Sequence, residues 1–180
     1  MKNIIYKIFT IGFFVMWALA LESKILHRQV DEWSNKYTQY DCVRAYDILI
    51  SQKESYPNIS KKEYKQKLKI NRHICLDVKS NVQLGIPQIN TIIIDSDLEG
   101  FSYYITLAHE KTHITTFSAN EQYVCFKTFE MLYTSEDPFL KQVGITYGIK
   151  QLNDLYYNEY DVKGQIINYL LGNNIYYTID

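Results

Sequence analysis

The stretch "AHEKTHITTFSANEQ" (Ala108 to Gln122) decides how the chain is read. A helix turns by about 100° per residue, so His109 and His113 project about 40° apart and can present two imidazoles to one metal ion. A lone histidine on an apolar face is more often a core residue, so the faces must be compared. With His109 as origin, Tyr104, Leu107, Ala108 and Ile114 gather on the opposite side, at about 140° to 260°. The imidazoles are therefore expected to point away from the core. Lys111 falls inside the apolar arc, where its stem can pack while its ammonium reaches outward.

Glu110 sits at the edge of the histidine face. The pattern is His-Glu-x-x-His, in which the glutamate acts as general base on a metal-activated water. Two imidazoles leave zinc under-coordinated, because a catalytic site takes three protein ligands and keeps one position open. Glu121 is the expected third ligand, since residues 115–120 allow the chain to reverse. The competing reading makes Glu121 half of a capping box, Ser118-x-x-Glu121. Glu130 is the other carboxylate on that helix, but nine residues place it about 180° from Glu121. Cys125 and Thr128 lie near the Glu121 side, whereas Val124 and Phe126 look like packing residues. An oxyanion donor is also needed; His73, Tyr147 and Tyr157 are candidates by residue type alone, and the stabiliser stays unassigned. Asp97 is a candidate to orient a ligand histidine.

The 180 residues are 47% hydrophobic with a formal net charge of -1, which suits one globular domain. The 19 basic and 20 acidic residues are scattered, so no basic face exists for nucleic acid. Lys2 and Lys7 precede an uncharged run from Ile8 to Leu21 that ends in Ala18-Leu19-Ala20. This is the layout of a signal peptide cut after Ala20, or of an uncleaved anchor. Residues 1–20 are thus expected to export the protein, leaving it periplasmic, secreted or membrane-anchored, with 21–180 as the single domain. Cys42 and Cys75 could form a disulfide in that setting, leaving Cys125 free. The absence of Cys-x-x-Cys argues against a thiolate zinc site.

Residues 22–55 have a helical pattern. Ser60-Lys-Lys-Glu63 predicts a capping box and a short helix to about Leu68. Strands are expected at Ile74–Val78 and Ile89–Ile94, the second a β-branched run. Helices then follow over about Ser102–Thr115, Asn120–Tyr133 and onward to Leu171, with Pro138 placed where a first helical turn tolerates it. The fold class is α+β, mostly helical, with a small sheet ahead of the helix bearing the motif.

From about Asn90 to Leu155 the chain resembles the gluzincin branch of the zincin metallopeptidases. More specifically, it resembles a bacterial membrane-associated group with His-Glu-x-x-His, a Phe-containing turn and Glu-x-Glu-Ala-Asn-Phe. "NTIIIDSDL" precedes "TLAHEKTH" as a strand precedes the active-site helix in that group. "FSANEQYVCF" aligns Phe117, Glu121 and Phe126, and "SEDPFLKQVGITY" resembles the opening of the next helix. Thr116 stands where glycine is usual, Tyr123-Val124-Cys125 replaces Glu-Ala-Asn, and the loop differs by one residue. The resemblance implies a zincin-like domain.

The expected function is zinc-dependent hydrolysis of peptide bonds, with zinc on His109, His113 and Glu121, Glu110 as base, and a peptide or protein as substrate. Cell-wall peptide or amide bonds would be served by the same residues. The alternative from another class is a non-catalytic exported or anchored binding protein whose metal is structural or absent.

Overall fold

Strand β3 (Thr91–Asp95) is the centre of a three-stranded sheet in the computed structural model, which describes residues 39–52, 57–153 and 162–172. Strand β1 (Ile74–Val78) pairs with it in parallel, with Ile74 opposite Thr91 and Val78 opposite Asp95. Strand β2 (Leu84–Ile86) pairs antiparallel on the other edge, with Gly85 opposite Ile92. Residues on both faces of β3 are buried, so no polar alternation is needed, which accounts for the unbroken "TIIID". Ile92 and Ile94 are fully buried.

Six α-helices complete the α+β fold among the described residues: α1 (Gln39–Ser51), α2 (Lys61–Lys67), α3 (Gly100–Thr116), α4 (Glu121–Tyr133), α5 (Pro138–Leu152) and α6 (Lys163–Leu170). Helix α3 packs against β2 and β3 on one side and α4 and α5 on another. Tyr64, Tyr103, Tyr104 and Phe139 form an aromatic cluster joining α2, α3 and α5, with Tyr64 and Tyr104 centroids 4.6 Å apart. The buried hydroxyl of Tyr64 donates to the Tyr104 carbonyl at 2.7 Å, so the ring is buried without leaving a polar atom unpaired. Helices α4 and α5 meet closely at Gly144, where a Cβ would stand 2.8 Å from the Leu132 carbonyl carbon.

Several expectations hold at the residue level. β1 has the predicted bounds, and Ser60 caps α2 by accepting from the Glu63 amide. Lys111 is half-buried and its ammonium donates to the carbonyl of Leu68, the C-cap of α2, so the cation in the apolar arc serves a helix C-terminus.

Other expectations are corrected. β3 starts at Thr91 because Pro87–Ile89 form a 3-10 turn and Asn90 is left-handed at φ 52°. β2 has no counterpart in the sequence reading, since three residues with a glycine and a following proline carry no periodicity. The Cys42–Cys75 disulfide does not form, and all three cysteines are free thiols. Cys75 faces Asp77 Oδ1 at 3.5 Å instead, and burial pushes its thiol up to about 11. The expected signal peptide or anchor at residues 1–20 and the start of the first helix lie outside the described residues. No helix among the described residues is long and apolar enough to cross a membrane.

Asp137 caps α5, accepting from the amides of Phe139 at 2.9 Å and Leu140 at 3.1 Å, and Lys67 donates to it at 2.6 Å. Burial pulls its pKa up, but the Lys67 ammonium and the two amides outweigh burial and hold it below the usual aspartate range. Asp137→Ala is expected to cost about 1 kcal/mol in chemical denaturation. A depressed carboxylate pKa gives stability that is present above its ordinary value and lost on acidification. The penalty of Asp137→Ala therefore shrinks as the pH falls through the aspartate range.

Candidate metal centre

Helix α3 carries His109, Glu110 and His113 on its last two turns and ends at Phe117, whose φ of 53° is left-handed. That conformation reverses the chain in three residues. Asn120 then caps α4, its side-chain oxygen accepting from the Tyr123 amide at 3.1 Å. Because Asn120 is the cap, the Ser118-x-x-Glu121 capping box is not formed; Ser118 Oγ accepts from the Asn120 amide instead. Glu121 is left as the first residue of α4 with its carboxylate free to reach α3. A helix N-terminus also favours its negative charge.

The three expected ligands converge. His109 Nε2 lies 3.0 Å from His113 Nε2 and 2.9 Å from Glu121 Oε2, and His113 Nε2 lies 3.2 Å from Glu121 Oε1. Ligand atoms around a tetrahedral zinc with bonds of 2.0–2.1 Å stand roughly 3.3 Å apart. The spacing of the donor atoms thus fits one such ion, and these three residues are the metal-competent group among the described residues.

Both rings are held from behind. His113 Nδ1 lies 2.8 Å from the Ser118 carbonyl, which the left-handed Phe117 turns toward it. His109 Nδ1 lies 3.7 Å from Cys125 Sγ. Asp97, the residue expected to orient a histidine, faces Lys79 and Ser96 instead. The hydroxyls of Thr112 and Thr128 meet at 3.1 Å in the buried seam between α3 and α4 and fix the spacing of the two helices.

The charges on the cluster follow from these contacts. Burial pulls His109 down, but its bonds to Cys125 and Glu121 outweigh it and raise the imidazole to about 10. His113 is raised too, burial being overcome by Glu121 and the Ser118 carbonyl. Hydrogen bonds from both imidazoles lower Glu121 to about 2. The Glu121 carboxylate thus points at both rings.

Glu110 is only 7% exposed. Burial raises its pKa, while the two imidazoles and a hydrogen bond from the Gly85 amide lower it, and burial prevails. Gly85 was not legible as a site residue. It lies on β2, directly against α3, where a Cβ would strike the Glu110 carbonyl oxygen and come within 3.1 Å of His113 Cβ.

The imidazole face is partly covered, with the His109 side chain 19% exposed and that of Glu121 35%. His113 is 8% exposed, because β2 and α4 cover that side of α3. The apolar arc of Tyr104, Leu107, Ala108 and Ile114 is buried as expected. Glu130 does not approach the triad; it pairs with Lys127 at 2.6 Å and lines a separate pocket of about 310 Å³ with Thr112 and Thr116. Of the oxyanion candidates, His73 is bonded to Asn90, Tyr147 is buried on α5, and Tyr157 lies outside the described residues.

Gly85→Ala is expected to lower stability by about 1–3 kcal/mol in denaturant unfolding, the usual cost of overpacking a close contact. An unchanged midpoint would mean that β2 does not lie on α3 as described. No family model, curated protein or solved structure matches the chain, so the reading of the site rests on its geometry.

Proposed function

We propose that the protein is a zinc-dependent hydrolase of peptide bonds. The observation that carries this reading is the convergence of His109, His113 and Glu121 within hydrogen-bonding distance, with the buried carboxyl of Glu110 alongside. The described residues bring three protein donors together, the count of a catalytic zinc site, whereas a structural site closes with four. That difference favours the enzyme over a binding protein with a structural metal.

His109 and His113 would hold zinc through Nε2, and Glu121 through its carboxylate. When bound, zinc supplies Lewis acidity and brings the pKa of a water molecule toward neutrality. Glu110 would accept a proton from the attacking water and return it to the departing amine. Its raised pKa suits both steps, because a carboxyl that binds a proton more readily than usual works nearer neutral pH as base and then as acid. The Gly85 amide orients the Glu110 side chain. The turn at Phe117 and the Thr112–Thr128 contact hold the two ligand-bearing helices at a fixed distance.

A peptide or protein is the proposed substrate, and cell-wall peptides fall within the same chemistry. The leader read from Lys2 to Ala20 would bring this activity to the exported side of the membrane or tether it there.

Glu110→Gln is expected to keep zinc and to lower hydrolysis of a peptide library by at least about 100-fold, since an acid–base group contributes on that order. His109→Ala is expected to lose the zinc itself, read by metal analysis of the purified protein. Turnover that is unchanged in Glu110→Gln would remove Glu110 from the chemistry.

A further inference from the structure

The two nitrogens of His109 have opposite tasks. Nε2 faces His113 and Glu121, while Nδ1 faces Cys125 Sγ at 3.7 Å. An imidazole offers a lone pair at one nitrogen when its proton sits on the other, and that N–H needs an acceptor to hold the ring in place. For His113 the acceptor is the Ser118 carbonyl. For His109 the structure offers a thiol.

Cys125 lies on α4 four residues after Glu121, hence on the same face one turn further along. One helix therefore presents both a carboxylate to the metal side of His109 and a sulfur to its back. The sulfur stands across the ring from Nε2. It cannot join the donors that Nε2 faces, and the metal-competent group contains His109, His113 and Glu121 without it.

We propose that Cys125 is a positioning residue, whose sulfur accepts the Nδ1 proton of His109 and so fixes the tautomer and rotation of that ligand for metal capture. This assignment rests on the metal reading above. Thiol sulfur is a weak acceptor. An aspartate oxygen extends further from Cβ than the sulfur does, so at this position it would reach the N–H more closely and bind it more strongly. The sequence thus uses an acceptor that can be improved upon.

The test is a zinc competition titration of the full chain against a chromophoric chelator, for wild type, Cys125→Ala, Cys125→Asp and Cys125→Asn. The thermal midpoint of each metal-free protein is measured alongside. Cys125→Ala is expected to bind zinc about 10- to 100-fold more weakly, the usual effect of removing a residue that supports a ligand. Cys125→Asp should match or exceed wild type, and Cys125→Asn should fall between alanine and aspartate. A purely packing role would move the thermal midpoint and would not be rescued by either acceptor. Equal affinity in wild type and Cys125→Ala would overturn the assignment, as would aspartate and asparagine variants that fold and bind as weakly as alanine. Wild-type protein that takes up no zinc would instead overturn the metal reading, and this assignment with it.

Discussion

The meeting of two imidazoles with one carboxylate across a helix reversal is the constraint around which the described part of the molecule is arranged. The two Nε2 atoms stand 3.0 Å apart, and each also faces a different oxygen of Glu121, so one carboxylate holds both rings. That arrangement needs α3 to stop within one turn of His113 and α4 to begin immediately. The left-handed Phe117 and the Asn120 cap supply both conditions.

The rest of the fold can be understood as support for that reversal. β3 is paired on both edges and gives α3 a fixed surface, and β2 lies so close to α3 that only glycine fits at position 85. The aromatic cluster of Tyr64, Tyr103, Tyr104 and Phe139 anchors the opposite face of α3, while α5 approaches α4 through Gly144. Burial on both sides of α3 has a chemical consequence. It removes water from Glu110 and raises its pKa.

Much of this was legible in the sequence where a local rule governs the outcome. The His-Glu-x-x-His spacing put both imidazoles on one face of α3, Ser60 and Pro138 marked helix starts, and the β-branched run marked the central strand. The signals failed where the outcome depends on residues distant in sequence. The covering of His113 by β2 and α4 is a tertiary event that helical periodicity does not encode. Gly85 matters because of what lies against it, and Asn120 rather than Ser118 became the cap because the turn places Asn120 next to the first free amides. Cys125 had been placed near the Glu121 side of its helix, but its pairing with His109 required the crossing of α3 and α4. Cys42 and Cys75 suggested a disulfide from composition and setting, whereas the free thiols reflect their positions on separate elements.

X-ray absorption at the zinc edge of the zinc-loaded protein tests the central claim most directly, because it reads the ligand shell itself. The account predicts two imidazole nitrogens and a carboxylate oxygen at about 2.0–2.1 Å, completed by one light atom not supplied by the chain, with no sulfur in the shell. A sulfur at about 2.3 Å, a shell closed by four protein ligands, or a protein that retains no zinc would contradict it.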